Sequence, residues 1–232
     1  MPSPTEESPA RRPAAPREAA RSHSCRGRRP DPGKRQAIVD AAFSLFFDQG
    51  YGVSMETIAA KAGVAKQTLY NLFSTKEQLF GASVEKCSKI VLQALVEARE
   101  DTPPREVLTG IAEDLLNLWR DDRIARAYRM MMSAVIEADG VAEICRQFYD
   151  NGPGRSTLQF AAYLARQDEI GHLAVPDPML AAESFFGTLN GFMVIRNMLG
   201  LQRSWDEATL RRKAAYTVNA FLAAHAPGSV LR

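Results

Sequence analysis

Five hydrogen-bonding side chains, Lys66, Gln67, Thr68, Tyr70 and Asn71, crowd one short stretch of this chain, SMETIAAKAGVAKQTLYNLF from Ser54 to Phe73. A cation, two amides, a hydroxyl and a phenol suit contacts to phosphates and base edges. The stretch around them reads as two short helices. Ser54 is placed to cap the first through its hydroxyl. Ile58, Ala59 and Ala62 give that helix an apolar stripe, and Gly63 supplies the positive φ of a sharp reversal. Val64 and Leu69 carry the buried side into the second helix, and the small Ala59 allows a close crossing. A helix-turn-helix that lays its second helix in a DNA groove needs this arrangement. An ordinary αα-hairpin with a solvated outer face has the same pattern, so the flanking chain must decide.

Catalytic chemistry has little support. H-E-x-x-H, G-x-S-x-G, phosphate-binding glycine loops and dinucleotide fingerprints are all missing from the sequence. His23, His172 and His225 are scattered, and neither Cys87 nor Cys145 lies near a His in sequence. Cys25, Cys87 and Cys145 are odd in number and widely spaced, which suits reduced thiols in a cytoplasmic protein. A redox-sensing thiol is the alternative use for one of them. No metal site and no cofactor are expected. With 46% hydrophobic and 24% charged residues the 232-residue chain has an ordinary globular composition. No apolar run approaches the ~20 residues needed to span a bilayer, and the start of the chain has no apolar signal region.

The net charge of +2 is unevenly spread: residues 1–35 carry a surplus of five positive charges and the remainder is at −3. Residues 1–32 hold seven of the thirteen prolines and almost no large apolar side chains. Such a segment is expected to be disordered, serving either as a solvated tail or as a basic arm with Arg26, Arg28, Arg29, Lys34 and Arg35 reaching phosphates or a minor groove. Lys34 and Arg35 then open a helical pattern with Ile38, Ala41, Ala42, Leu45 and Phe46 inward and Gly50 as its stop. A three-helix head is expected around Phe43, Phe46, Phe47, Ile58, Leu69 and Phe73. Ser74-Thr75-Lys76-Glu77 reads as a capping box. It opens a long amphipathic helix to about Glu100, with Phe80, Val84, Cys87, Val91, Ala94, Leu95 and Ala98 inward. Lys76 in its first turn is placed to grip a phosphate.

The run from Arg35 to Leu79, with IVDAAFSLFFDQGY followed by SMETIAAKAGVAKQTLYNLFSTKEQL, resembles the N-terminal domain of TetR-family regulators. TLYNLFSTKEQL follows the T-L-Y-x-x-F-x-x-K-x-x-L pattern of that family. The resemblance implies that Lys66, Gln67 and Thr68 face bases, that Tyr70 and Lys76 hold phosphates, and that Asn71 makes either contact. Lys34, Arg35, Ser54 and Thr57 complete the candidate DNA-binding set. Gly52 departs from the family, which often has a larger polar residue there. Downstream, the methionine-rich stretch before Asp139, RQFYDNGPGRSTLQFAAYLARQ and ESFFGTLNGFMVIRNMLG resemble the AefR-like C-terminal subtype. That implies a ligand-sensing, dimerising body without naming a ligand.

The body reads as helices throughout. Thr102 is a candidate cap with Pro103 at the first helical position, and Val107, Leu108, Ile111, Leu115 and Trp119 form the buried stripe behind it. Asp121 or Asp122 opens the next helix, with Ile124, Tyr128, Met131, Met132 and Val135 inward, and Asp139-Gly140 ends it. A further pattern with Ile144, Phe148, Leu158, Ala161, Ala162 and Leu164 inward should kink or divide at Asn151-Gly152-Pro153-Gly154. Asp177-Pro178 starts a helix apolar on nearly every face, stopped by Gly200. Ser204 and Glu207 make a second capping box, before a helix with Leu210, Ala214, Val218, Phe221 and Leu222 inward.

Two uses of this body follow. Phe185, Gly187, Gly191, Phe192, Ile195, Ala214, Val218 and Phe221 are candidates for a twofold interface. Trp119, Tyr128, Met130, Met131, Met132 and Phe148 are candidates for a cavity lining, with plain core as the competing use. Asn190 and Arg196 are polar intrusions that either orient a ligand or cross the interface. The expectation is an all-α protein of about nine helices: a disordered tail over 1–32, a DNA-binding head over 33–80 and a regulatory body over 81–226. Its expected function is a non-enzymatic, cytoplasmic, nucleoid-associated regulator, a homodimer released from palindromic double-stranded operator DNA by a small molecule. A TetR-like activator, or a regulator that needs no ligand, is the alternative.

Overall fold

The computed structural model describes residues 32–99, 101–137, 142–201 and 205–228, without the side chains of 132–137 and 142. The described residues form eleven helical stretches and no strand: α1 (Pro32–Gln49), α2 (Met55–Lys61), α3 (Lys66–Leu72), α4 (Lys76–Val91), α5 (Gln93–Glu97), α6 (Pro104–Leu118), α7 (Asp122–Glu137), α8 (Ala142–Asn151), α9 (Pro153–Glu169), α10 (Pro178–Met198) and α11 (Glu207–Ala224). The expected basic tail, Ser204 and the Asp139-Gly140 break lie outside the described residues, except that Pro32 already belongs to α1.

The head forms as its apolar spacing requires. Ile38, Ala42, Phe46, Ile58 and Leu69 are all at or below 1% exposure, so α1, α2 and α3 share one dry centre. Ser54 caps α2, its hydroxyl accepting the Thr57 N–H at 3.1 Å. Gly63 ends α2 with φ +66. Its N–H bonds Ala60 O at 3.2 Å and the Val64 N–H bonds Ala59 O at 3.0 Å, the paired closure of a Schellman turn. This turn sets the angle at which α3 leaves α2.

The helix after the head begins one residue later than the sequence suggests. Thr75 rather than Ser74 is the N-cap, accepting the Gln78 N–H at 3.2 Å, while the Gln78 side chain accepts the Ser74 N–H at 3.2 Å. The single long helix to Glu100 is also corrected. At Leu92 the backbone leaves helical geometry (φ −104, ψ 16), separating α4 from α5. Leu92 is only 1% exposed, so the break trades helix continuity for burial of that side chain. The same kind of shift occurs at α6, where Pro103 is the cap and the Thr102 hydroxyl instead accepts the Arg99 N–H at 2.8 Å.

Gly152 divides α8 from α9, and close packing requires a glycine there. A Cβ on it would meet Phe148 O at 2.8 Å and Val84 Cγ1 at 2.9 Å, so α4 can lie against the α8–α9 junction only if residue 152 has no side chain. Phe160 of α9, Phe185 and Phe186 of α10 and Phe221 of α11 meet with ring centroids 5.1–6.3 Å apart and form the second half of the core. Leu158 is 62% exposed and Ala162 is exposed, so the inward arc of α9 is rotated from the one expected. Arg129 of α7 donates to Asn197 O at 3.0 Å, tying α7 to the end of α10.

Candidate nucleic-acid interface and ligand cavity

Leu69 anchors α3 in the head at 0% exposure, which turns Lys66, Gln67, Tyr70 and Asn71 outward; Thr68 is half-buried. Gln67 Nε2 donates to Asn71 Oδ1 at 2.9 Å, one turn on. The Lys66 ammonium pairs with Glu56 of α2 and lies 5.7 Å from the Tyr70 ring centroid. Its hydrogen bond holds the Glu56 carboxyl below the usual range. Sequence reasoning missed Glu56; an acid ten residues before a candidate DNA-contacting lysine was the available signal.

Lys76 is the first residue of α4, its ammonium 4.4 Å from the Tyr51 ring centroid. Burial lowers its pKa. The Tyr51 hydroxyl donates to Glu77 Oε1 at 2.6 Å, so an aromatic side chain and its carboxylate partner fix the position of Lys76. Lys34 and Arg35 are exposed in the first turn of α1, with the Arg35 guanidinium 5.2 Å from the centre of the Phe73 ring. Ser54 and Thr57 are exposed and share a 2.8 Å hydrogen bond between their hydroxyls. The head therefore presents three lysines, an arginine, two amides, a phenol and hydroxyls on a rigid three-helix support, a surface suited to phosphates and base edges.

Where the head meets the body, Phe47 of α1 together with α4, α6, α7, α8, α9 and α10 lines a cavity of about 90 Å³. Of the expected lining residues, Trp119, Tyr128, Phe148 and Asn190 stand on its wall. Met131 does not: it is 5% exposed and packs into core. The Met132 side chain lies outside the described residues. Met130 has a different role, its sulfur accepting the Tyr51 backbone N–H at 3.0 Å. Cys87, Ser88, Ser156 and Thr157 also line the wall and were missed. The signal for Ser88 was a hydroxyl on the inward face of α4, one turn beyond Val84.

The wall is aromatic and uncharged. Trp119 and Tyr128 have centroids 4.9 Å apart, and Tyr128 meets Phe148 edge-on at 4.8 Å. Trp119 Nε1 donates to Asn190 Oδ1 at 3.0 Å. The Ser88 and Ser156 hydroxyls share one hydrogen bond at 2.8 Å. Burial pushes the Cys87 thiol up to about 12 and raises Tyr128. The contacts continue to the head: Phe148 stacks on Phe80 at 6.5 Å, and Phe80 meets Tyr51 edge-on at 5.5 Å. An unbroken row of rings thus runs from the cavity to the side chain beneath Lys76.

The interface candidates divide into two groups. Phe185, Ala214, Val218 and Phe221 are 1–6% exposed and belong to the chain's own core, which corrects their assignment to a partner. Gly187 and Gly191 are exposed, and Phe192 and Ile195 are 76% and 52% exposed. Gly191 has φ +40 and ψ −141, so α10 is kinked where a continuous helix was expected.

No helix among the described residues is long and apolar enough to cross a membrane, and none of their His, Cys, Asp and Glu residues cluster into a metal site. A small helical head with an outward polar helix, set on a body with an aromatic-walled cavity, defines a transcriptional regulator of the helix-turn-helix class. Residues 38–82 match the model of bacterial regulatory proteins of the tetR family, and residues 106–227 match that of the AefR-like transcriptional repressor C-terminal domain. The chain belongs to the TetR family, whose members are transcriptional regulators rather than enzymes.

A solved TetR-family regulator from Mesorhizobium loti is 30% identical with TM-score 0.67, the match covering 83% of this chain and 96% of that one. The flavonoid-responsive regulator FrrA is 27% identical with TM-score 0.62, covering 85% and 99%. The transcriptional activator FasR of Mycolicibacterium smegmatis is 31% identical over 121 residues, 51% of this chain and 52% of its own length. The chain spans about half the length of the curated relatives it matches, from 37% to 58% among the first four proteins.

Proposed function

We propose that this chain is a repressor that binds a palindromic operator as a homodimer and is released when a small molecule enters the body. The observation that carries the reading is the aromatic-walled cavity whose own wall ring, Phe148, packs through Phe80 and Tyr51 onto the element bearing Lys76. A molecule that moves this wall changes the head's position, and DNA binding and occupancy become coupled equilibria. The responsiveness of FrrA to flavonoids supports a ligand-driven switch.

Lys66, Gln67 and Thr68 read bases in this scheme, and Tyr70 and Lys76 hold phosphates, with Asn71 free to do either. Lys34, Arg35, Ser54 and Thr57 complete the contact surface. Leu180, Phe192, Ile195, Leu199 and Tyr216, each more than half exposed, supply the apolar surface that a second copy would cover. Fragments of duplex DNA selected by the purified protein, then titrated with and without candidate effectors, test the whole scheme. Binding that no compound alters at any concentration would leave a ligand-independent regulator. The likeness to FasR favours activation as the second reading, separable by transcription from the selected site with the protein present and absent.

A further inference from the structure

The cavity wall also specifies the chemistry of what enters it. Every side chain on the wall is uncharged. Several of its polar groups are already engaged: one of the Ser88 and Ser156 hydroxyls donates to the other, and the Thr157 hydroxyl donates to Pro153 O at 2.9 Å. Asn190 Oδ1 holds the Trp119 N–H. What remains among the described residues is the Tyr128 hydroxyl, which makes no hydrogen bond, the amide N–H groups of Asn190, and two weaker candidates: the unused O–H of the Ser88–Ser156 pair and the Cys87 thiol. Tyr128 is wedged between the Trp119 and Phe148 rings, so it cannot swing out to water without breaking both contacts.

The Tyr128 hydroxyl and the Asn190 amide both face the cavity, so a guest that covers them and excludes water must itself supply their hydrogen bonds. A carboxylate, phosphate or ammonium brought here would find no countercharge. A fully apolar guest would leave the Tyr128 hydroxyl and the Asn190 amide unsatisfied. We propose that the effector class is a small neutral aromatic bearing one hydroxyl or carbonyl, its ring against Trp119 and Phe148 and its oxygen at Tyr128 and Asn190. This inference rests on reading the cavity as the effector site.

Size adds a consequence. A dry apolar cavity of about 150 Å³ holds benzene, and this one measures about 90 Å³. A ring seated fully inside therefore crowds the wall. The aromatic wall leads to Phe80, so occupancy and displacement of the row toward the head are one event.

The test uses the full chain and three probes of one shape: 4-methylphenol, p-xylene and 4-methylbenzoate, followed by calorimetry at neutral pH. 4-Methylphenol should bind about tenfold or more tightly than 4-methylbenzoate. Tyr128→Phe should weaken 4-methylphenol about tenfold and leave p-xylene within about twofold. Asn190→Ala should discriminate in the same direction. Equal or tighter binding of 4-methylbenzoate overturns the proposal, as does the absence of any 4-methylphenol binding. An equal loss of p-xylene in the variants makes their role structural and also overturns it. Operator binding measured in parallel by anisotropy separates the two readings. 4-Methylphenol that binds without releasing DNA upholds the ligand class and refutes the switch, while release by a charged compound does the reverse.

Discussion

The sulfur of Met130 accepts the backbone N–H of Tyr51 at 3.0 Å, joining α7 of the body to the loop between α1 and α2 of the head. The same sulfur lies where a Cβ on Gly50 would approach it to 3.3 Å, so the contact is close-packed as well as polar. Met130→Leu keeps the volume and removes the acceptor. It should lower stability by about 1 kcal/mol, read from the urea midpoint, and reduce the change in operator affinity that an effector produces. An unchanged effector response would show that the head follows the body by another contact.

Lys66 is engaged by Glu56 in the free protein. DNA must displace that carboxylate before Lys66 can bond a base. Glu56→Gln should therefore tighten binding to non-specific duplex DNA and steepen the salt dependence, measured as log Kd against log salt concentration. Lys76→Ala should make the slope shallower by about 0.9 on every sequence, as expected for one lost phosphate contact. Lys66→Ala should instead cost about 1–3 kcal/mol on the selected operator and relax one base preference.

Gly152 is fixed by sterics. Gly152→Ala places a methyl against Phe148 O and Val84 Cγ1, one of them backbone that cannot move aside. A loss of about 1–3 kcal/mol is expected, with a lowered Tm in a thermal melt. A variant as stable as the parent would mean that α4 and the α8–α9 junction separate without cost.

Cys87 titrates late because it is buried, its thiol pushed from 9.0 to about 12. Between these values the unfolded chain has lost a proton that the native chain keeps. Its contribution is thus fully present below pH 9 and is lost as pH rises toward 12. Urea unfolding at rising pH should show this decline, and Cys87→Ala should flatten it. Native Cys87 should also react slowly with thiol reagents at neutral pH.

Ile195→Glu tests the outer surface of α10. Ile195 is 52% exposed, so the single chain tolerates the charge. If two copies pair through this surface as proposed, light scattering should show the parent as a dimer and the variant as a monomer while circular dichroism stays helical.

Local chemistry made much of this molecule legible. The Ser54 cap, the Gly63 turn and the division at Gly152 each rest on one residue type doing what few others can. The break at Leu92 was not legible, because no glycine or proline marks it and it follows from burying a leucine against helices remote in sequence. The α10 face failed for a different reason. A helix apolar nearly all round does not say which arc meets its own core, so Phe185 and Phe192 looked equivalent until α9 and α11 claimed Phe185. The cavity was read from its aromatics and Asn190. Met131 was misplaced because periodicity gives the inward side of α7 and does not resolve which inward residue meets empty space.

Adjacent residues of α7 hold opposite parts of the molecule: Met130 clasps the head, and Arg129 clasps the end of α10 at Asn197. A rigid helix cannot release one without straining the other. If the α10 surface is the seam between copies, DNA affinity and subunit affinity must be linked functions of the same displacement. An effector that loosens the operator complex would then alter the dimer dissociation constant as well, and diluting the protein would mimic part of the effector's action.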